Sequence, residues 1–200
     1  MGTTVYWINV SMDLRIEFDL DEGGAGSWIK IDETLHRDFN ARASDLVLGI
    51  QGRKMHEIME SFWPQAAEND LLPDYMREFG RIWTAAPKVL VSNSRTGASH
   101  NTRIIGGDDV IEQLATLRAT TDGRIGVGGA TLATALLSNG LLDELLLYTH
   151  PVVLGSGRPL FDDLPRPLDL NLIEQVSFPN GVVLHRYAIT TPVSAAPLPT

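Results

Sequence analysis

The sequence predicts an α/β domain whose sheet is mostly parallel and carries an antiparallel edge. Along most of the 200 residues, short apolar segments rich in β-branched side chains alternate with amphipathic segments of helical period. Several apolar segments end in glycine or serine close to the start of a helical pattern, as strands do in repeating strand–helix units. The last two apolar segments flank Pro179-Asn180-Gly181, a strong hairpin turn that adds the antiparallel edge.

The first half of the chain alternates strands with helices. An apolar run at 5–10 forms the first strand, and the acidic, glycine-rich segment 13–26 that follows is a long loop, a kind of segment that is often functional. Asp32 is a suitable N-cap for a helix with Glu33 in its first turn. The remaining elements are a strand at 46–50, a helix from Gly52 to an excursion at 64–74, a helix at 75–85 and a strand at 88–91.

The second half repeats this alternation and closes with the hairpin. A short strand at 103–105 precedes a helix that Asp108 caps, and a strand at 124–127 leads through glycines into an apolar helix that Gly140 ends. The last strands are 143–150, 172–177 and 182–189, and the proline- and alanine-rich residues 191–200 form a loose tail. The pattern predicts one domain over residues 1–190.

Composition excludes several classes of function. The chain has 16 Lys and Arg against 25 Asp and Glu, a net charge of −9, which argues against nucleic acid and anionic membranes as partners. It has no cysteine, which excludes disulfides, zinc–thiolate sites and cysteine nucleophiles, and its five histidines form no i,i+4 pair that would suggest a metal site. Because the sequence shows neither a secretory leader nor a run of about 20 apolar residues, we expect a cytoplasmic protein.

Three junctions between a predicted strand and the segment after it carry groups suited to phosphate. Gly128 and Gly129 open an apolar helix, where bare backbone N–H groups and the positive end of the helix dipole converge. Hydroxyls and a guanidinium follow one strand and two cations follow Gly52; these residues are Ser92, Ser94, Arg95, Arg53 and Lys54. Phosphate sites at two places on one parallel sheet fit a 2′-phosphorylated dinucleotide such as NADPH.

Each junction also has a simpler interpretation. The glycine pair is compatible with tight strand–helix packing, the serines and Arg95 with an ordinary polar loop, and Arg53-Lys54 with a solvated helix start. The common nucleotide motifs do not occur: Thr131 stands where the Rossmann fingerprint needs a third glycine, and the sequence has neither a P-loop nor a Gly-x-Ser-x-Gly elbow. The occurrence of three such junctions in one chain favours the phosphate interpretation.

The pattern as a whole resembles the dihydrofolate reductase-like family, in its bacterial branch related to the reductase domain of riboflavin biosynthesis. The resemblance covers residues 5–189 and rests on these motifs: Ser11-Met12-Asp13, Gly52-Arg53-Lys54-Met55, Pro87-Lys88-Val89, Val127-Gly128-Gly129-Ala130-Thr131-Leu132, and the run from His150-Pro151-Val152 to Arg158-Pro159-Leu160-Phe161. It implies a three-layer fold, with helices on both faces of a mostly parallel sheet and an antiparallel C-terminal hairpin.

The same resemblance implies an NADPH-dependent reductase that transfers hydride to a small planar heterocycle or a C=N or C=O bond. It assigns the cofactor to Gly128, Gly129, Ala130, Thr131 and Leu132 at the pyrophosphate, to Gly52, Arg53 and Lys54 beside it, and to Ser92, Ser94 and Arg95 at the 2′-phosphate. It places the substrate near Ser11, Trp28, Val152, Leu154 and Gly155, with Asp13 and Glu33 as the catalytic carboxylates.

Two departures from the family pattern bear on the substrate. The first motif usually ends in glycine, and here Leu14 follows Asp13; the second usually continues with threonine or an aromatic residue, and here Lys54 and Met55 follow Arg53. Glu33 also has a simpler interpretation, because an acidic residue in a first helical turn interacts favourably with the helix dipole. The alternative function is a nucleotide-binding regulatory module without turnover.

The leucines at 141, 142, 145, 146, 147 and 154 bear on assembly. One alternating strand face cannot hide all of them. Either helices cover both faces of the sheet, or a second subunit covers part of one face. Because related domains often pair and two-fold dimers are the commonest oligomers, we expect a homodimer.

Overall fold

A computed structural model describes residues 1–17, 26–161, 164 and 167–190; the predicted tail at 191–200 and the middle of the acidic loop lie outside these residues. The described residues form one eight-stranded sheet in the order β4-β3-β2-β5-β1-β6-β8-β7. The strands are β1 (Thr3–Ser11), β2 (Leu46–Gly52), β3 (Lys88–Val91), β4 (Thr102–Ile105), β5 (Arg124–Gly128), β6 (Glu144–His150), β7 (Asp169–Ser177) and β8 (Val183–Thr190).

Strand directions decide where functional groups can meet. The pairs β3·β4, β2·β3, β2·β5, β1·β5 and β1·β6 are parallel, whereas β8 runs antiparallel to both β6 and β7. The strands β1 to β6 therefore end at the same side of the sheet, which we call the carboxyl edge. Loops after parallel strands are the usual place for ligands in such sheets.

Helices cover both faces of the sheet. They are α1 (Glu33–Ser44), α2 (Arg53–Glu68), α3 (Asp74–Ala85), α4 (Val110–Thr120) and α5 (Ala130–Ser138). On one face, Leu114 of α4 and Leu136 of α5 belong to a buried cluster with Leu145. On the other face, Phe39 of α1 packs in a second cluster with Leu146. The predicted three-layer α/β fold is confirmed, and helix cover on both sides accounts for the burial of the β6 leucines.

The predicted excursion at Pro64 is wrong, because α2 continues through Pro64 to Glu68. Proline lacks the N–H that a helix interior needs, so the sequence predicted an end there. Tertiary packing overrides that preference. Ala66 and Ala67 are buried, and a Cβ on Gly80 of α3 would lie 2.6 Å from the carbonyl oxygen of Trp63. Only a glycine lets α3 approach α2 this closely.

Smaller differences concern element ends. The N-cap of α4 is Asp109 rather than Asp108. Helix α5 ends at Ser138 with Asn139 as its C-cap, and Gly140 follows in a left-handed conformation at φ 66°. Asp32 caps α1 as predicted, since its carboxylate accepts a hydrogen bond from the N–H of Leu35 at 2.9 Å. Among the helices of the described ranges, none is long and apolar enough to cross a membrane.

Candidate active site

The carboxyl edge brings the predicted cofactor and substrate loops into one row. Following the strand order β3-β2-β5-β1-β6, the row consists of the segments that come directly after these strands and begin at Ser92, Arg53, Gly129, Met12 and Pro151. Strands lie about 4.8 Å apart, so the row spans roughly 19 Å from β3 to β6. We call the ends of β3, β2 and β5 the cationic half of this edge, and the ends of β1 and β6 the anchored half.

Helices α2 and α5 begin side by side in the cationic half. Their N-caps are Gly52 and Gly129, neither helix has a side-chain cap, and neither has an acidic residue in its first turn. Among the helices of the described chain, these are the two that lack both features. Their first N–H groups and dipole ends are therefore available to an anion.

The two predicted glycines at β5 serve different purposes. Gly129 has φ 105° and ψ 122°, a backbone conformation that residues with a side chain rarely adopt. A Cβ at this position would lie 3.7 Å from the backbone nitrogen of Gly52. A Cβ on Gly128 would lie only 3.2 Å from Cγ of Met55. Tight packing thus explains Gly128, whereas Gly129 is required for the turn that presents α5 to the edge.

Each cation that the sequence predicted for phosphate is paired with a glutamate. Arg53 lies 3.2 Å from Glu57, and Lys54 donates to Glu17 at 3.1 Å. Arg95 lies 3.1 Å from Glu60 and 3.6 Å from Glu57, so two carboxylates of α2 face it. The sequence did not indicate the pairing of Arg95, because Arg95 and Glu60 are 35 residues apart.

The Ser92 loop is folded around one hydroxyl. Oγ of Ser92 accepts hydrogen bonds from the N–H groups of Ser94 and Arg95, both at 3.2 Å, and lies 3.4 Å from Oγ of Ser94. This turn holds Arg95 beside α2 and keeps two hydroxyls together at the end of β3. The geometry is compatible with either an ordinary polar turn or a phosphate-binding loop.

Arg158 is a cation at this edge that the sequence did not single out. Its guanidinium donates to Oγ1 of Thr131 at 3.1 Å, in the first turn of α5, and it has no carboxylate partner among the described residues. A cation is unfavourable beside the positive end of a helix dipole unless an anion lies between them. The sequence signal that could have indicated Arg158 is its place just after two glycines, Gly155 and Gly157, which both have positive φ in the structure.

Asp13 holds the loop after β6 in the anchored half. Its carboxylate accepts from the N–H groups of Leu154 at 3.0 Å and Gly155 at 2.9 Å, and from the hydroxyl of Ser11 at 2.7 Å. These hydrogen bonds, that from Ser11 foremost, lower the pKa of Asp13 to about 2. Asp13 is therefore a carboxylate at neutral pH, which suits a positioning role better than proton donation.

His150, at the end of β6, is a second anchor that the sequence did not indicate. Nδ1 accepts from the backbone N–H of Lys30 at 3.1 Å, so the ring proton lies on Nε2, 3.0 Å from Oδ1 of Asn9. The ring is fully buried and meets the edge of Trp28. Burial, with the nearby charge of Lys30, lowers the pKa of His150 to about 4, so the ring is neutral.

The predicted substrate residues have unequal surroundings. The indole Nε1 of Trp28 is buried and has no hydrogen-bond partner among the described residues. Glu33 is 59% exposed and pairs with Arg37 at 2.7 Å, which favours its simpler interpretation as a helix-surface residue. Met12 and Val153 are exposed beside Asp13, and Val152 accepts a hydrogen bond from the N–H of Met12 at 2.8 Å.

The departure at Leu14 has a visible consequence. Leu14 adopts φ 55°, in the left-handed region that favours glycine, which is the residue usual in the family pattern at this place. Its carbonyl accepts from the N–H of Leu160 at 2.8 Å, and its N–H donates to Ser11 at 2.9 Å. These two bonds hold the leucine in a conformation that it would otherwise avoid, and its side chain is exposed, like those of Met12 and Val153.

Comparison with known families gives one match over most of the chain. The model of the RibD C-terminal domain matches residues 10–184. Among curated proteins, the chain is similar to the uncharacterized protein YyaP of Bacillus subtilis, with 30% identity over 135 residues, 67% of this chain and 69% of that protein. It is also similar to the uncharacterized protein YwjB of Bacillus subtilis, with 40% identity over 58 residues, 29% of this chain and 33% of that protein.

Solved structures share the fold. A putative riboflavin biosynthesis protein from Shewanella sp. PV-4 has a TM-score of 0.72 at 20% identity, with 94% of this chain and 99% of that chain covered. RibD of Acinetobacter baumannii has a TM-score of 0.63 at 18% identity, and the match covers 95% of this chain but only 58% of that one. Dihydrofolate reductase from Enterococcus faecalis has a TM-score of 0.61 at 12% identity, with 95% and 98% covered. The predicted dihydrofolate reductase-like fold is confirmed.

Proposed function

Because the chain belongs to the RibD C-terminal domain family, we propose that it is an NADPH-dependent reductase that transfers hydride to a small planar heterocycle or a C=N or C=O bond. The family and the fold are of a reductase type; the cofactor and the substrate class are the proposal. The observation that carries it is the pair of adjacent, glycine-led and uncapped helix starts at Gly52 and Gly129, with the guanidinium of Arg158 beside the second.

These residues fit a dinucleotide with phosphates in two places. The backbone N–H groups after Gly129, the hydroxyl of Thr131 and Arg158 would hold the pyrophosphate. Ser92, Ser94 and Arg95 would hold the 2′-phosphate, two strands away in the sheet order. When bound, NADPH supplies the hydride, and the chain's own residues orient the ring that receives it.

The anchored half supports a planar, partly apolar substrate. The side chains of Met12, Leu14 and Val153 are exposed in this half of the edge, and we call them the apolar rim. Asp13 fixes the loop that carries Val152, Leu154 and Gly155. Structural relatives named as a pyrimidine reductase-like protein and a 5-amino-6-(5-phosphoribosylamino)uracil reductase suggest a pyrimidine, and the dihydrofolate reductase of similar TM-score suggests a pterin, so both are candidates.

Cofactor oxidation tests this function. Purified protein is mixed with NADPH and, in turn, an aminouracil ribotide, dihydrofolate or a flavin, and the loss of NADPH absorbance is followed. Turnover that disappears in Gly129→Asp supports the reductase. Tight NADPH binding without turnover on any of these substrates supports the alternative, a regulatory module. Absence of NADPH binding contradicts the NADPH-dependent reductase.

We also propose that the protein is a cytoplasmic homodimer, although the β6 leucines no longer require a partner. The remaining reason is the edge strand β7, where Leu170, Leu172 and Ile173 are between 39% and 49% exposed. An unpaired edge strand with apolar side chains can be covered by a second copy. Light scattering that gives one chain's 21.9 kDa at micromolar concentration, with and without NADPH, would contradict the dimer.

A further inference from the structure

Two glutamates of α2 occupy the guanidinium that the proposed function assigns to the 2′-phosphate. Arg95 is 29% exposed, Glu60 is 23% exposed, and their closest atoms are 3.1 Å apart. Glu57, at 39% exposure, lies 3.6 Å from Arg95 and 3.2 Å from Arg53. The carboxylates thus contact the same nitrogen atoms that a phosphate would need.

The charges in this half of the edge cancel. Arg53, Lys54 and Arg95 are each paired with an acid, and the three acids are Glu17, Glu57 and Glu60. An incoming 2′-phosphate, which is a dianion near neutral pH, meets no net positive charge from these six side chains. It must displace carboxylates from Arg95 and then remain beside them, and both steps weaken binding.

We propose that Glu60, assisted by Glu57, sets how strongly the protein prefers NADPH to NADH by competing with the 2′-phosphate for Arg95. This inference rests on the proposed function, because it concerns the same cofactor site. The competition acts on the 2′-phosphate alone. NADH lacks that group, so its binding leaves the ion pairs of Arg95 intact.

Removing the charge of Glu60 tests the competition. Glu60→Gln keeps an oxygen that accepts from Arg95 and removes the negative charge. A partly exposed ion pair is worth up to about 1 kcal/mol, so the variant should bind NADPH about fivefold more tightly and NADH within about twofold of the original chain. Glu57→Gln should act in the same direction, and the double variant should exceed either.

Glu68→Gln is the matched control. It removes one charge from the same helix about 22 Å along the axis from Arg53, and should change neither dissociation constant. A second control introduces Glu60→Gln into Arg95→Met. If Glu60 acts through Arg95, the substitution should no longer change the preference between the two cofactors. Circular dichroism establishes that each variant is folded.

The dissociation constants of NADPH and NADH separate the two ideas. If the original chain binds NADPH and Glu60→Gln binds it equally or less tightly, the competition is wrong and the proposed function stands. Equal tightening of NADPH and NADH would also overturn it, since that reflects general charge. If neither cofactor binds any variant, the proposed function fails and the inference fails with it.

Discussion

The two halves of the carboxyl edge satisfy their polar groups in opposite ways. In the cationic half, the helix starts at Gly52 and Gly129 have no side-chain caps, and the cations are paired through partly exposed side chains. In the anchored half, Asp13 and His150 use their polar atoms on fixed partners within the chain. One half is arranged to exchange partners, and the other to keep them.

The difference follows from burial. His150 is fully buried, and an unpaired polar atom there would cost about 1–3 kcal/mol, so its partners must be present before any ligand arrives. Surface N–H groups at a helix start are hydrated at little cost, and side-chain ion pairs there are weak. We therefore expect substitutions in the cationic half to change binding, and those in the anchored half to change stability and turnover.

The largest expected effect comes from Gly129→Asp. A carboxylate at the start of α5 repels the pyrophosphate and should weaken NADPH binding at least about 100-fold, from the loss of charge-assisted contacts worth about 3 kcal/mol. Because φ is positive at this position, any residue with a side chain also adds backbone strain of about 1–3 kcal/mol. Gly129→Ala carries that strain without the charge, so titration of both variants isolates repulsion. Normal binding by Gly129→Asp would place the phosphates elsewhere.

Acid should destabilise the fold through His150. Its pKa is about 4 in the folded chain against 6.5 when unfolded, so unfolding takes up a proton between these values. The contribution of the neutral ring is fully present above pH 6.5 and falls as the pH drops, by about 2 kcal/mol at pH 5.

Urea unfolding at pH 7.5 and pH 5 measures this loss. Burial also lowers the pKa values of His36 and His56, so the decisive quantity is the difference in pH dependence between the original chain and His150→Gln. The glutamine variant should lose less stability on acidification. Identical pH dependence in both would show that His150 is not a buried neutral group.

Arg158→Met should weaken NADPH and NADH equally, each about tenfold, because both cofactors carry the pyrophosphate. Arg95→Met should weaken only NADPH. The pair of variants thus distinguishes a pyrophosphate site at the start of α5, which Arg158 reaches from the segment after β6, from a 2′-phosphate site at the end of β3. Arg158→Lys is the control and should retain part of the affinity. Selective loss of NADPH binding in Arg158→Met would assign Arg158 to the 2′-phosphate instead.

The smallest change in binding is expected for Asp13→Asn. The asparagine oxygen can accept from the N–H of Leu154, but its NH₂ group then faces the N–H of Gly155 and cannot accept from it. The loop after β6 therefore loses one of its two hydrogen bonds to this side chain. We expect turnover to fall severalfold and NADPH affinity to stay within about twofold. Ser11→Ala, which removes one hydrogen bond to the same carboxylate, should have a smaller effect on turnover. Lost NADPH binding with normal turnover at saturation would contradict this division of the edge.

The fold was predictable because its signals are local. Strand and helix periods, the Asp32 cap and the Pro179-Asn180-Gly181 turn each depend on a few neighbouring residues, and the structure confirms them. Pro64 was misinterpreted because α2 is packed against α3, where Gly80 lies close to the backbone of Trp63 and Ala67, and no local signal records that packing. The intrinsic helix or strand propensity of a segment decides its secondary structure only where packing against distant residues does not override it.

The sequence predicted which segments form the candidate site, but it did not predict which side chains contact one another there. Parallel strands guarantee that the loops at Asp13, Arg53, Ser92 and Gly129 share an edge. The contacts of Arg95 with Glu60, of Arg158 with Thr131 and of His150 with Lys30 join residues 35, 27 and 120 positions apart. No sequence period records such contacts, and they decide which groups are available to a ligand.

The central place of β1 has a consequence for synthesis of the chain. β1 lies between β5 and β6, and its residue Ser11 pairs with His150, about 140 residues later. At about 5–20 residues per second, a ribosome needs roughly 7–28 s to make the second neighbour after the first strand has emerged. The apolar segment Val5-Tyr6-Trp7-Ile8 has neither native sheet partner until β5 is made, and it lacks β6 for the whole interval. The first strand of the nascent chain is therefore unpaired for most of this time, and the centre of the sheet is completed only after β6 has emerged from the ribosome.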